Sequence, residues 1–89
     1  LDSLPPPPPI FDLIERRGGV SRAEMFEVYN MGIGFCAVLP ERDVEAAMAI
    51  LARHNRRAWV IGHAVADPEK SVHLPQHRLI GSGKRFRAA

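Results

Sequence analysis

The sequence predicts an α/β (α+β) fold, with an incomplete mixed sheet of about three strands and helices in the order α-α-β-α-β-β, completed by missing sequence or a partner subunit. Three observations carry that prediction. Residues 33–39 and 58–66 are apolar runs of strand length. The run 41–55 between them has helical periodicity. Before residue 30 the apolar positions recur at helical spacing.

The chain opens on "LDSLPPPPP", whose five consecutive prolines fix φ and remove backbone donors, giving a stiff polyproline II lead-in over residues 1–9. Proline is tolerated in a helix's first turn, so a short helix follows, with Ile10, Leu13 and Ile14 on one stripe and Phe11 widening it. Gly18 and Gly19 end it. Ser21 followed by Glu24 has the spacing of a capping box, which starts a second helix carrying Met25, Val28 and Tyr29 on one face and stopping near Asn30.

In "IGFCAVL" (33–39) neither alternate face is polar, as in a strand covered on both sides. Pro40 ends it. "ERDVEAAMAILARHN" (41–55) is the strongest helix pattern, with acids at its start, Arg53 and His54 at its end, and a core stripe of Val44, Ala47, Met48 and Leu51. "AWVIGHAVA" (58–66) is expected as a second strand, "ADPEKS" as a turn and "VHL" (72–74) as a third strand. Residues 10–75 thus form a partial α/β domain, and 76–89 a basic tail with little periodicity. Three strands with two apolar faces and three helices leave the sheet incompletely covered or with a bare edge, exposing about five or six apolar side chains. At about 1.5–3 kcal/mol each, that forfeits on the order of 10 kcal/mol, so a partner surface is expected.

A chain of 89 residues buries only about 60–65% of its unfolded surface, which leaves no room for a second core. No apolar run approaches the roughly 20 residues of a membrane span. The start lacks the basic and apolar regions of a signal peptide, and a first residue Leu rather than Met is expected of a partial chain. The single cysteine, Cys36, is expected as a buried, inert thiol, consistent with a cytoplasmic setting. The net charge of +2 arises from late basic residues, and Trp59 is expected in the core.

Gly32-Ile33-Gly34 follows a helix and opens a strand, the reverse of a dinucleotide fingerprint. Two readings stand. In one, Gly32 supplies a positive φ at the helix end and Gly34 lets another element pass closely; in the other, Asn30 adds a polar group facing a cleft. "GSGKRF" (81–86) has Arg78 and Arg85 where a phosphate-binding P-loop requires Gly and Ser or Thr. Pro75 separates His73 from His77, and neither joins Cys36 and His63 in a metal-ligand pattern, so no metal site is expected. No catalytic nucleophile, base or carboxylate pair is visible. The late basic residues match no recognition module, and nucleic acid is not the expected partner.

"PPPIFDLIERRGGVSRAEMFEVYNMGIGFCAVLP", an alanine- and leucine-rich helix and then "AWVIGHAV" together resemble the closing portion of the aminoimidazole ribonucleotide synthetase (phosphoribosylformylglycinamidine cyclo-ligase) family. The resemblance covers residues 5–66 and departs from the family pattern at Tyr29 and Phe35, both still bulky and apolar. It implies a fragment or short relative of an ATP-dependent ring-closing ligase of purine biosynthesis, or alternatively a non-catalytic scaffold derived from it. The family uses ATP and magnesium, held mainly by its N-terminal half, which implies that this chain alone binds no cofactor and is inactive. The implied partner is the N-terminal nucleotide-binding domain or a homo-oligomer. Asn30, Met31, Gly32 and Gly34 fall on the family's local motif and are the candidate substrate-cleft residues. No catalytic residue is assigned.

Overall fold

The computed structural model describes all 89 residues. Helix α1 spans Pro9–Gly18, α2 Arg22–Val28 and α3 Glu41–Arg53. Strands β1 (Val72–Leu74), β2 (Leu79–Ser82) and β3 (Arg85–Ala88) form an antiparallel meander, with a 3₁₀ turn at Pro75–His77 after β1. The α+β class and the incomplete three-stranded sheet are as expected. No helix is long and apolar enough to cross a membrane.

The helix boundaries follow local chemistry. Pro8 precedes α1 in an extended conformation, and Gly19 closes the helix at φ 62°. Ser21 caps α2 by accepting a hydrogen bond at Oγ from the Glu24 amide, 3.2 Å away. A complete Schellman ending stops α3: Asn55 turns left-handed at φ 57°, the Arg56 amide donates to the Leu51 carbonyl, and the Asn55 amide donates to that of Ala52.

The core lies between α2 and the meander. Met25 is fully buried, Leu74 and Leu79 are nearly so, and Gly81 is buried beside them. The Phe86 ring lies over Gly81, its cross-strand partner, so that a Cβ on Gly81 would meet Phe86 Cε1 at 2.5 Å. Phe26 continues the contact at 6.3 Å from Phe86, and Phe11 meets Tyr29 edge-on at 6.2 Å to join α1. Glu27 Oε1 accepts a hydrogen bond from the Phe86 amide at 2.7 Å, which satisfies an outward-facing donor of the edge strand.

Several sequence expectations are corrected. Residues 33–39 and 58–66 run without ladder partners, so neither is a strand, and the sheet is antiparallel rather than mixed. A strand exists only by pairing, and the chain brings no second strand beside either segment. Their side chains are accordingly open: Phe35 and Val38 are each 89% exposed. The Cys36 thiol is exposed rather than buried, and Trp59 is about half exposed beneath the Arg57 guanidinium, 5.3 Å from its ring centroid. Residues 76–89, expected as an aperiodic tail, supply two of the three strands. Their turn has Gly83 at φ 63° while Lys84 stays at negative φ, the pattern of a type II′ hairpin. "GSGKRF" is therefore turn chemistry.

Candidate functional site

An apolar cleft of about 230 Å³ opens where the lead-in, the end of α2 and the meander meet. Leu4, Pro5 and Pro7 form one wall, Tyr29, Met31 and Ile33 another, and Val72, Leu74 and Phe86 a third. The lead-in is held there by hydrogen bonds from the Ser3 amide to the Ile61 carbonyl (3.0 Å) and from the Leu4 amide to Gln76 Oε1 (3.0 Å). Asn30, Cys36 and His77 bring the polar or reactive groups to the lining, which contains no Lys, Arg, Asp or Glu.

The candidate residues at the end of α2 fold into one tight turn. The Ile33 amide donates to the Asn30 carbonyl at 2.9 Å, and the two central residues, Met31 and Gly32, have φ of 53° and 93°, as in a type I′ turn. Asn30 Oδ1 accepts from the Gly32 amide at 2.8 Å and braces the turn from within. A Cβ on Gly32 would stand 2.5 Å from Pro8 Cδ, so the turn fits directly against the end of the proline run. Met31 is left-handed and buried, an arrangement costing about 1–2 kcal/mol that the surrounding packing must offset.

The structure separates the four candidates. Asn30 and Met31 line the cleft; Gly32 and Gly34 do not. Gly32 serves the turn, as its positive φ requires. Gly34 has open space where its Cβ would be, so no element passes close to it. Sequence reasoning missed His77 and Phe86 because it treated the residues after 75 as a tail. A Gly-Lys pair between "LIGS" and "RFRA" was the available hairpin signal.

His77 is the best-defined polar group of the cleft. Its Nδ1 accepts from Arg22 Nη1 at 3.1 Å, which places the proton of the neutral ring on Nε2, and the ring packs against Phe26 at 4.6 Å. Arg22 also holds Glu15 in a two-pronged pair, Nε to Oε1 at 2.6 Å and Nη2 to Oε2 at 3.1 Å. That hydrogen bond keeps the Glu15 carboxyl below its ordinary range, while burial and then the Arg22 charge lower His77, against a smaller upward pull from Glu15.

These residues do not fit a magnesium nucleotide. No cluster of three or more His, Cys, Asp or Glu could hold a metal ion, and no Lys or Arg side chain lines the cleft. What the arrangement can do is bury apolar surface around one neutral imidazole and one amide.

The family described as AIR synthase related protein, C-terminal domain, matches residues 1–75. Phosphoribosylformylglycinamidine cyclo-ligase of Staphylococcus aureus strain Newman is 39% identical over 69 residues, covering 78% of this chain and 20% of the relative. The enzyme of the same name from strain JH9 is 38% identical over the same length. No solved structure matches. The chain thus spans about a fifth of the length of the curated relatives it matches. With the family pattern running from the proline lead-in to the end of β1, this chain belongs to the AIR synthase related protein, C-terminal domain family.

Proposed function

We propose that the chain supplies C-terminal-domain structure to a phosphoribosylformylglycinamidine cyclo-ligase of purine biosynthesis and performs no chemistry alone. The observation that carries this reading is the exposure of Phe35 and Val38 inside the family-matched region. Apolar segments of this kind are left open when the surfaces that cover them belong to another part of the protein. In the complete family reaction, magnesium-ATP activates the formyl amide oxygen by phosphoryl transfer and the amidine nitrogen closes the imidazole ring. On this reading the nucleotide and the metal are held by the N-terminal domain, and the present residues contribute the apolar cleft beside it in a cytoplasmic assembly.

Isothermal titration of magnesium-ATP into the 89-residue chain tests this division. The expected result is no micromolar binding, and no ADP release with formylglycinamidine ribonucleotide. Co-expression with the remaining four-fifths of a Staphylococcus aureus cyclo-ligase, lacking its own matched region, should yield a complex that releases ADP. Micromolar magnesium-ATP binding by the chain alone would refute the proposal.

A second reading, a stand-alone scaffold derived from the domain, is favoured by one observation. Residues 76–89, beyond the family match, complete the sheet and close over α2. Sedimentation and thermal melting of the isolated chain discriminate the two: a scaffold melts cooperatively as a dilute monomer, whereas a dependent portion associates or melts broadly.

A further inference from the structure

The charge of this chain is segregated, and the fold turns that segregation into a surface. All ten acidic residues lie at or before Glu69, whereas Arg78, Lys84, Arg85 and Arg87 fall in the acid-free stretch 76–89. All four are exposed, and none takes part in an ion pair of the structure. As an aperiodic tail these residues would be ordinary solvated charges, but the hairpin places them in register.

Arg87 pairs with Ile80, and Arg85 with Ser82. Strand alternation puts Arg85 and Arg87 on the face opposite Phe86, whose ring is turned inward over Gly81. The two arginines are about 7 Å apart along β3. Lys84 extends the row at the hairpin turn, and Arg78 stands just before β2. Asp67, 3.9 Å from His73, lies by β1, the opposite edge of the sheet from β3. Glu24 and Glu27 of α2 line a hollow with Arg85 without pairing with it, so Lys84, Arg87 and Arg78 are the cations farthest from carboxylate side chains.

We propose that the outer face of the β2–β3 hairpin docks on the phosphodiester backbone of nucleic acid. Cations aligned along an extended strand suit a linear polyanion, and the guanidinium fork suits phosphate oxygens. An acidic protein surface fits less well, because the aliphatic residue this face carries between its strands, Ile80, is already half-buried and no aromatic stands beside it to make the anchor that protein interfaces concentrate at their centre. The inward turn of Phe86 also removes the one aromatic of the hairpin as a stacking platform, so the contact reads phosphate and not base sequence. This inference is independent of the cyclo-ligase reading, since the hairpin lies outside the family match.

Fluorescence anisotropy of a labelled random-sequence duplex, titrated with the 89-residue chain at 50–200 mM salt, tests it. Four phosphate contacts give a slope of log K against log salt of about −3 to −4, a roughly 100-fold loss of affinity over that range. The double change Arg85→Gln and Arg87→Gln should reduce the slope's magnitude by about 2, and Lys84→Gln alone by about 1. Arg42→Gln on α3 should leave it unchanged. The outward-facing substitutions should preserve the circular dichroism spectrum; if the double variant does not, the Lys84 variant carries the test. Absence of binding at 50 mM salt, an unchanged slope in the hairpin variants, or tighter binding to poly-glutamate than to duplex would each overturn the proposal.

Discussion

The α2–meander unit and the span 33–66 both carry large apolar side chains, and only the first buries them. Met25 is fully buried and Leu74 is 1% exposed, while Phe35 and Val38 are 89% exposed and α3 has no buried residue at all. Propensity does not explain the contrast, since α3 is well formed, with acids at its start, Arg53 in its last turn and a complete C-terminal cap. The difference is whether an apolar face finds a second layer within the same chain. The meander brings its own layer back onto α2; residues 33–66 meet the lead-in at Ile61 and Gly62 but bury no residue against it.

The largest test of that contrast is a pair of truncations. Met25→Ala should cost about 2–5 kcal/mol in urea unfolding, because it leaves a cavity in the one packed core. Phe35→Ala should change the isolated chain by no more than about 0.5 kcal/mol, because nothing packs on the ring. Equal costs would mean that the span 33–66 is covered in solution. A Phe35→Ala cost that emerges only when a covering domain is present would locate that domain's contact.

The next test uses the two glycines of Gly32-Ile33-Gly34. Gly32→Ala should destabilise by about 2–4 kcal/mol, combining a left-handed backbone with a Cβ pressed against the Pro8 ring. Gly34→Ala meets open space and should be neutral or stabilising by up to about 1 kcal/mol, through the unfolded chain. Guanidinium melts of the two variants decide it; a Gly34 variant as damaged as the Gly32 variant would overturn the assignment of the turn. A smaller loss is expected for Gly81→Ala, about 1–3 kcal/mol, since a Cβ there must displace the Phe86 ring from between β2 and α2.

What was legible in the sequence divides along the same line. Helix ends were readable because their causes are local: the Ser21 hydroxyl, Gly19 and Pro40 each act within a few residues. The resemblance was readable for the same reason, as a collinear string of short patterns. The ladders were not, because "IGFCAVL" has a strand's composition whether or not a partner lies beside it, and composition cannot report pairing. The candidate site was half legible. Asn30 and Met31 line the cleft, but its opposite wall comes from residues 76–89, whose register depends on a two-residue turn and on Phe86 reaching back to Gly81. Those contacts join positions far apart in the chain, where no periodicity points.

The smallest effect concerns the seam that holds the meander to the helices. His77, half-buried against Phe26, accepts a hydrogen bond from Arg22 at Nδ1, so protonation both breaks that bond and sets two cations side by side. Burial first and the Arg22 charge second lower the folded-state pKa of His77 below its ordinary 6.5. The unfolded chain therefore binds more protons in this window. The stabilisation is complete above the unfolded value and is lost as pH falls through the folded one. Glu15, lowered by its bond to Arg22, stays ionised throughout and keeps Arg22 in place, so the two transitions do not overlap. Thermal melts should show Tm declining from pH 7.5 to 5.5, with amide exchange in β2 and β3 accelerating before that in α1. His77→Gln, which retains an acceptor without a titrating ring, should flatten this dependence and leave the acid transition near Glu15 intact. If the slope between pH 7.5 and 5.5 survives in His77→Gln, the meander is held to α2 by Phe86 and Glu27 without help from the imidazole.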